Sequence, residues 1–301
     1  MPTKLTRRVL LKTTAIGALS AGFTARGMAR AGAALGTAQR VPLKIGIRAA
    51  SMRMVGDFDV IKTAARIPGI LGVELQTTTG KLNLRDPGVV RRYKKEADRW
   101  AIWIPSLAGV WDRGVKIHSP AAGDNLIRTI RAAEMLGCGV ILAAFFRRDA
   151  PDMTREDSYG PIVTMLQETA PRAADAGVVI GLENSLSPAD NRKLIDLVDH
   201  PAVGVYYDLH NMAYYGYADQ AIPGIKLLGK KRIARVHVKN GKNLLEQPGP
   251  IDWAAAFREL NEIQYDGWYI YETTHDNTAD CIEDTMKDNA FLRKHVRMPE
   301  A

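Results

Sequence analysis

Eight short apolar runs, each followed by a stretch of helical periodicity, succeed one another from Leu43 onward. They are Leu43–Arg48, Leu71–Gln76, Ala101–Leu107, Gly139–Phe145, Val178–Glu183, Val203–Asp208, Ile233–Lys239 and Trp268–Thr273. Several are apolar without interruption, as in Val140-Ile141-Leu142-Ala143-Ala144-Phe145. Such a run suits a parallel strand covered on both faces. Strict alternation of β and α segments implies a parallel sheet with right-handed crossovers, and eight repeats in roughly 250 residues suit a closed barrel better than an open doubly wound sheet. No G-x-G-x-x-G follows the first run, which weakens a dinucleotide-binding reading. The expected fold class is α/β, a single (β/α)8 barrel over residues 43–301, with no linker or shift in composition dividing it.

The intervening segments carry the 3.6-residue period. Leu126, Ile130, Ala133 and Leu136 line one helical face, and Trp253, Phe257 and Leu260 line another behind an Asp252 N-cap. Asp86-Pro87 opens a helix whose inward stripe is Val90, Tyr93, Ala97 and Trp100. Pro171 falls inside the helix expected from Tyr159 to Ala176, so a kink or break is expected there. With 46% of its 301 residues apolar, the chain can fill a full-sized core. Its two cysteines, Cys138 and Cys281, lack C-x-x-C spacing and are expected as buried, unpaired thiols.

In such a barrel the chemistry gathers where the strands end. Those ends carry Glu74 and Gln76 after the second strand, Glu183-Asn184 after the fifth, Asp208 with His210-Asn211 after the sixth, His237 with Lys239 after the seventh, and Glu272 after the eighth. Taken singly, a strand-end Glu can equally pair with a lysine, and His237 can equally be a hydrogen-bonded core histidine. Four in succession, Glu183, Asp208, His237 and Glu272, point to one metal site across the barrel mouth. Three carboxylates and an imidazole are hard-to-intermediate ligands that suit one divalent ion, Mn²⁺, Mg²⁺ or Co²⁺ foremost and Zn²⁺ as well. Without a cation, three buried carboxylates would repel one another and take up protons.

The N-terminus reads as an address. Arg7-Arg8 stands ahead of a modest apolar stretch from Thr13 to Phe23, and an Ala29-Arg30-Ala31 small-x-small site follows. This order resembles a twin-arginine export signal over residues 1–31, with residues 32–42 as a linker to the barrel. The apolar stretch is too short and too rich in Gly and Ala to span a bilayer. The implied location is periplasmic or otherwise exported, the implied partner during export is the twin-arginine translocase, and the mature protein is not embedded in a membrane. Of the 41 basic residues six lie in residues 1–31, which hold no acid, so the remainder carries 35 bases against 33 acids. A surplus of +2 provides no electrostatic footprint for nucleic acid.

The runs Val179-Ile-Gly-Leu-Glu-Asn184, Val203-Gly-Val-Tyr-Tyr-Asp-Leu-His-Asn211, Ile233-Ala-Arg-Val-His-Val-Lys-Asn240 and Gly267-Trp-Tyr-Ile-Tyr-Glu-Thr273 resemble the xylose isomerase-like TIM-barrel superfamily. Within it the chain is most similar to the sugar (phosphate) isomerase/epimerase group, from about Leu43 to about Val296. The resemblance implies that Glu183, Asp208, His237 and Glu272 ligate the metal and that Glu183 and Glu272 double as the acid/base pair. The chemistry agrees: a divalent ion on a carbonyl and its neighbouring hydroxyl acidifies the intervening C–H and stabilises an enediolate. Lys239, on the same strand face as His237, is placed to donate to the developing oxyanion, and is equally readable as a solvated rim lysine. The substrate contacts expected are Glu74, Gln76, His210, Asn211, Trp111 and Tyr214, with Tyr207, Tyr215 and Tyr217 as further aromatic surface for a sugar. Many relatives have Gly where His210 stands, and Gln-Pro interrupts the relatives' "GEG-x-ID" element near Glu246.

The expected activity is isomerisation or epimerisation of an unphosphorylated sugar, since sugar phosphates are held in the cytoplasm. Two alternatives stand beside it. One is a metal-dependent lyase or dehydratase, in which the same enediolate, formed on a 3-keto-glycoside or ketoinositol, expels a leaving group. The other is a non-catalytic periplasmic sugar-binding protein, which would have no need of two opposed bases. Apurinic endonucleases share the fold but use a multi-zinc site rich in histidine. Six histidines, few of them at strand ends, argue against that reading.

Overall fold

The computed structural model describes residues 43–297 apart from Lys81. The expected export signal and linker lie outside the described residues. Eight strands, β1 (Ile45–Arg48), β2 (Gly72–Gln76), β3 (Leu107–Ala108), β4 (Val140–Phe145), β5 (Val179–Asn184), β6 (Val203–Asp208), β7 (Ile233–Val238) and β8 (Tyr269–Tyr271), follow one another around a closed, all-parallel barrel. The eighth strand pairs with the first, with Gly46 opposite Ile270. Helices fill the crossovers, as the alternation of the sequence requires. Among the described residues no helix is long and apolar enough to cross a membrane.

Strand alternation produces two cores. Ala108, Val140, Leu142, Tyr206 and Ile270 meet in one cluster inside the barrel. Their neighbours Leu107, Ile141, Ala143, Val205 and Tyr207 belong to the larger cluster between the strands and the surrounding helices. This is why the run from Val140 to Phe145 is apolar throughout: successive side chains serve different cores. The interior is full. A Cβ on Gly46 would stand 2.7 Å from Ile270 Cδ1, so the absence of a side chain at Gly46 makes room for that isoleucine.

Two helices behave as their sequences foretell. In Pro87–Trp100, Asp86 accepts the Gly88 N–H as N-cap, and Val90, Tyr93 and Ala97 are buried. In Trp253–Glu262, Asp252 accepts the Ala255 N–H, and Trp253, Phe257 and Leu260 are buried. The helix Glu156–Asp175 differs from expectation, because it runs unbroken through both Pro161 and Pro171. Ile162, Leu166, Ala170 and Ala173 are buried along it, so packing on both sides of Pro171 holds the helical path where one backbone hydrogen bond is missing.

The third strand is also shorter than its apolar run. Ala101 takes a left-handed conformation at the end of the preceding helix, Trp103 makes only an isolated bridge to Gly72, and the strand proper begins at Leu107. Pro105 has no N–H to give to the ladder. Cys138 and Cys281 are both free and buried.

Candidate active site

The inward-facing register that places Tyr206 and Ile270 in the interior also sets Asp208 and Glu272 two residues further on, on the same face and nearer the mouth. Ala144, which packs against the interior cluster, is opposite Glu183, and Asp208 is opposite His237. Glu183, Asp208, His237 and Glu272 therefore converge, each offering a ligand atom within 4.8 Å of the others. His237 Nδ1 is their centre, 3.0 Å from Glu183 Oε1, 3.2 Å from Glu272 Oε2 and 3.7 Å from Asp208 Oδ2.

Local structure divides the oxygens of Asp208 between two tasks. It is the N-cap of the short helix Leu209–Tyr214, and its Oδ1 accepts the Asn211 N–H at 2.8 Å. Its Oδ2 is left to the site, buried, with the Lys239 ammonium 2.6 Å away. The Asn211 side chain donates to Glu183 Oε1 at 3.0 Å, so one residue steadies two of the four. Glu272 lies just past β8 and is gripped on both oxygens, by the Arg48 guanidinium on Oε1 and by Lys239 at 2.7 Å on Oε2.

The charges are balanced by proximity. Burial disfavours the Asp208 carboxylate, but Lys239 and His237 outweigh burial and hold its pKa below the usual carboxylate range. Burial likewise disfavours a charged His237, yet Glu183 and Glu74, with hydrogen bonds donated by the imidazole to Asp208 and Glu183, raise its pKa to about 10. The surrounding carboxylates thus favour the protonated imidazole. Three hard oxygens around one imidazole nitrogen, one of them buried beside an ammonium, form a donor set that fits a single divalent cation.

Glu74 is placed differently from its expected role as a substrate contact. It is 0% exposed and lies beneath His237, with its Oε1 3.4 Å from His237 Nε2 and 3.2 Å from Arg48 Nε. Ser106 and Tyr206 both donate to its Oε2, at 2.7 and 2.5 Å. Burial raises its pKa, but His237, Arg48 and Ser106 together bring it down to about 2.

Above the site opens a cavity of about 450 Å³ whose walls include Arg48, Arg53, His210, Tyr214, Tyr215 and Lys239. Asn211 and Glu272 also line it. Burial pushes the pKa of His210 below its ordinary value, against the pull of Asp208. Tyr214 is well exposed there, and its hydroxyl accepts from Arg147 at 2.7 Å. Neither Gln76 nor Trp111 lines this cavity. Gln76 lies against Gly109, and the Trp111 indole N–H donates to Ala144 O at 2.6 Å, which ties it to the strand wall. Tyr207 is wholly buried, and its hydroxyl donates to Ala221 O at 2.6 Å, so it belongs to the outer core and not to a sugar surface.

Arg48, Tyr206 and Ser106 are site residues outside the set expected from the sequence. Arg48 is the last residue of β1, and the rule that picked out Glu183 and Asp208 finds it when applied to the first strand.

The model of the family described as "Xylose isomerase-like TIM barrel" matches residues 61–295. A 2-epi-5-epi-valiolone 7-phosphate 2-epimerase from an Actinoplanes species is 29% identical over 132 residues, which are 43% of this chain and 48% of the relative. The chain thus aligns with about half the length of that relative. The structure of a D-psicose 3-epimerase in the presence of D-fructose superposes with a TM-score of 0.69 at 16% identity, covering 84% of this chain and 99% of that one. The structure of an IOLI protein with a bound zinc atom superposes with a TM-score of 0.68 at 18% identity, covering 85% and 100%. With its eight-stranded barrel and a family match over most of its length, this chain belongs to the xylose isomerase-like TIM-barrel family.

Proposed function

We propose that the protein is an exported, metal-dependent sugar isomerase or epimerase that removes a proton from the carbon beside a carbonyl and proceeds through an enediolate. The observation that carries this reading is the convergence of Glu183, Asp208, His237 and Glu272 within 4.8 Å, with Glu272 lining a cavity large enough for a monosaccharide. These four residues would hold one divalent ion, Mn²⁺, Mg²⁺ or Co²⁺ foremost and Zn²⁺ as well, which when bound supplies polarisation of the carbonyl and stabilisation of the enediolate.

The remaining work falls to side chains. Glu183, from β5, and Glu272, from the end of β8, serve as the acid/base pair: one takes the proton and the other returns one, whereas a simple aldose–ketose shift needs a single base. Lys239, already at 2.6 and 2.7 Å from Asp208 and Glu272, is placed to donate to the oxyanion as it develops. His210, Asn211 and Tyr214 would hold the sugar from the cavity wall.

The epimerase names of the Actinoplanes relative and of the psicose epimerase support an enzyme acting on a sugar. The substrate proposed is an unphosphorylated one, because residues 1–31 resemble a twin-arginine signal and would carry the folded protein through the translocase, away from the sugar phosphates of the cytoplasm.

The test is incubation of the metal-loaded protein in D₂O with free ketoses, ketoinositols and 3-keto-glycosides. Solvent deuterium is expected at the carbon next to the carbonyl of the true substrate, and its incorporation is expected to be lost in Glu183→Gln and in Glu272→Gln. No exchange into any member of the panel would overturn the reading, and release of a leaving group would replace epimerisation with elimination.

A further inference from the structure

Beneath the four converging residues lies a polar assembly that touches neither the cavity nor solvent. Glu74, Ser106 and Tyr206 are all buried, and they meet on one carboxylate. A fully buried carboxylate is costly unless it is paired and hydrogen-bonded, and apolar packing would fill the same space at less cost. The partners are apportioned in an informative way. Both hydroxyls donate to Oε2 and fix the plane of the carboxylate. This leaves Oε1 to Arg48 Nε at 3.2 Å and to His237 Nε2 at 3.4 Å. Among the described residues His237 Nε2 is buried and makes no closer hydrogen bond, so the Glu74 Oε1 at 3.4 Å is the acceptor that faces it, while Nδ1 of the same ring faces Glu183, Glu272 and Asp208. The Tyr206 ring lies against the imidazole face, with centroids 4.3 Å apart.

We infer that Glu74 is a positioning residue for His237, resting on the metal-site reading above. It takes the Nε2–H, which leaves the Nδ1 lone pair directed at the point where the three other side chains converge. It also makes that nitrogen a stronger donor, as a carboxylate behind a ligating histidine does. Ser106 and Tyr206 hold Glu74 in register, and the Tyr206 ring limits rotation of the imidazole. Arg48 joins the two layers, since its guanidinium meets Glu74 below and Glu272 above.

The test is direct binding of Mn²⁺ and Co²⁺ to the full folded barrel by titration calorimetry, with circular dichroism as the check on folding. Glu74→Gln keeps the size of the side chain and an oxygen for Nε2–H, and removes the charge. It is expected to weaken both cations by about 10- to 100-fold, and to move the visible absorption of bound Co²⁺. A purely structural role would leave that spectrum unchanged in a folded variant. Unchanged dissociation constants and an unchanged Co²⁺ spectrum in folded Glu74→Gln overturn the inference. Should Glu74→Gln fail to fold, Tyr206→Phe removes one donor from Oε2 and decides the matter: several-fold weaker binding supports it, unchanged binding overturns it. Wild-type protein that binds neither cation fails the metal-site reading itself, a result distinct from equal binding by wild type and variant.

Discussion

Loading the site with a cation means displacing a proton. In the metal-free protein the His237 pKa stands at about 10, because Glu183 and Glu74 outweigh the burial that would lower it. Asp208 and Glu74 have depressed pKa values, so of these three groups it is His237 that carries a proton for the cation to displace. At pH 7, three units below the His237 value, releasing it costs about 4 kcal/mol, at 1.36 kcal/mol per unit. Affinity for Mn²⁺ is therefore expected to rise about tenfold per pH unit, or about 100-fold between pH 6 and pH 8. Calorimetry in buffers of different ionisation enthalpy reads both the affinity and the proton count, and close to one proton released per ion is expected.

The sign for stability follows from the same shift. A histidine whose folded pKa is raised stabilises the fold fully below its ordinary value of 6.5, and the contribution is lost as pH climbs through 10. Metal-free protein is thus expected to lose melting temperature between pH 7 and pH 10, and metal-loaded protein is expected to be spared this loss. Affinity that stays flat from pH 6 to pH 8, with no proton released, would refute the reasoning.

Three further outcomes are expected. Lys239→Met should lower kcat/KM by about 10²- to 10³-fold through loss of an oxyanion donor, while calorimetry shows Mn²⁺ bound at least as tightly, because the competing ammonium beside Asp208 and Glu272 is gone. Asp288 accepts the Leu245 N–H on Oδ1, but its Oδ2 is buried without a hydrogen-bond partner among the described residues. Burial, resisted by that bond, raises its pKa from 3.8 to about 7, so its penalty to the fold grows as pH rises through that window and is complete above it. Asp288→Asn should therefore stabilise the protein in thermal unfolding, by about 2–3 kcal/mol more at pH 8 than at pH 5. Gly46→Ala, whose methyl would meet Ile270 Cδ1 at 2.7 Å, should cost about 1–3 kcal/mol in denaturant unfolding.

The barrel was legible because β4 and β6 are long, apolar and regularly followed by helices, and the four converging residues were legible because each ends a strand or stands beside its end. Alternation fixes which face a side chain takes, and Glu74 does point inward. It does not fix depth, which depends on how neighbouring strands are staggered around a closed barrel. Arg48 is opposite Glu74 in register and its guanidinium meets both Glu74 and Glu272, yet Glu74 is fully buried while Glu272 lines the cavity. Trp111 and Tyr207 show a related limit. An aromatic residue after a strand can face substrate or the wall, and only the backbone oxygens of Ala144 and Ala221, distant in sequence from Trp111 and Tyr207 respectively, decide it. Pro171 does not break its helix, because the buried stripe of Leu166, Ala170 and Ala173, which local backbone cost leaves out, holds the helix in place.

The central claim is a single divalent ion at the barrel mouth, and anomalous diffraction from crystals grown with Mn²⁺ tests it most directly. The account predicts one strong peak per chain, bonded to side-chain atoms of Glu183, Asp208, His237 and Glu272, with His237 contributing Nδ1. A map with no peak there, or with its manganese held by other residues, would contradict it.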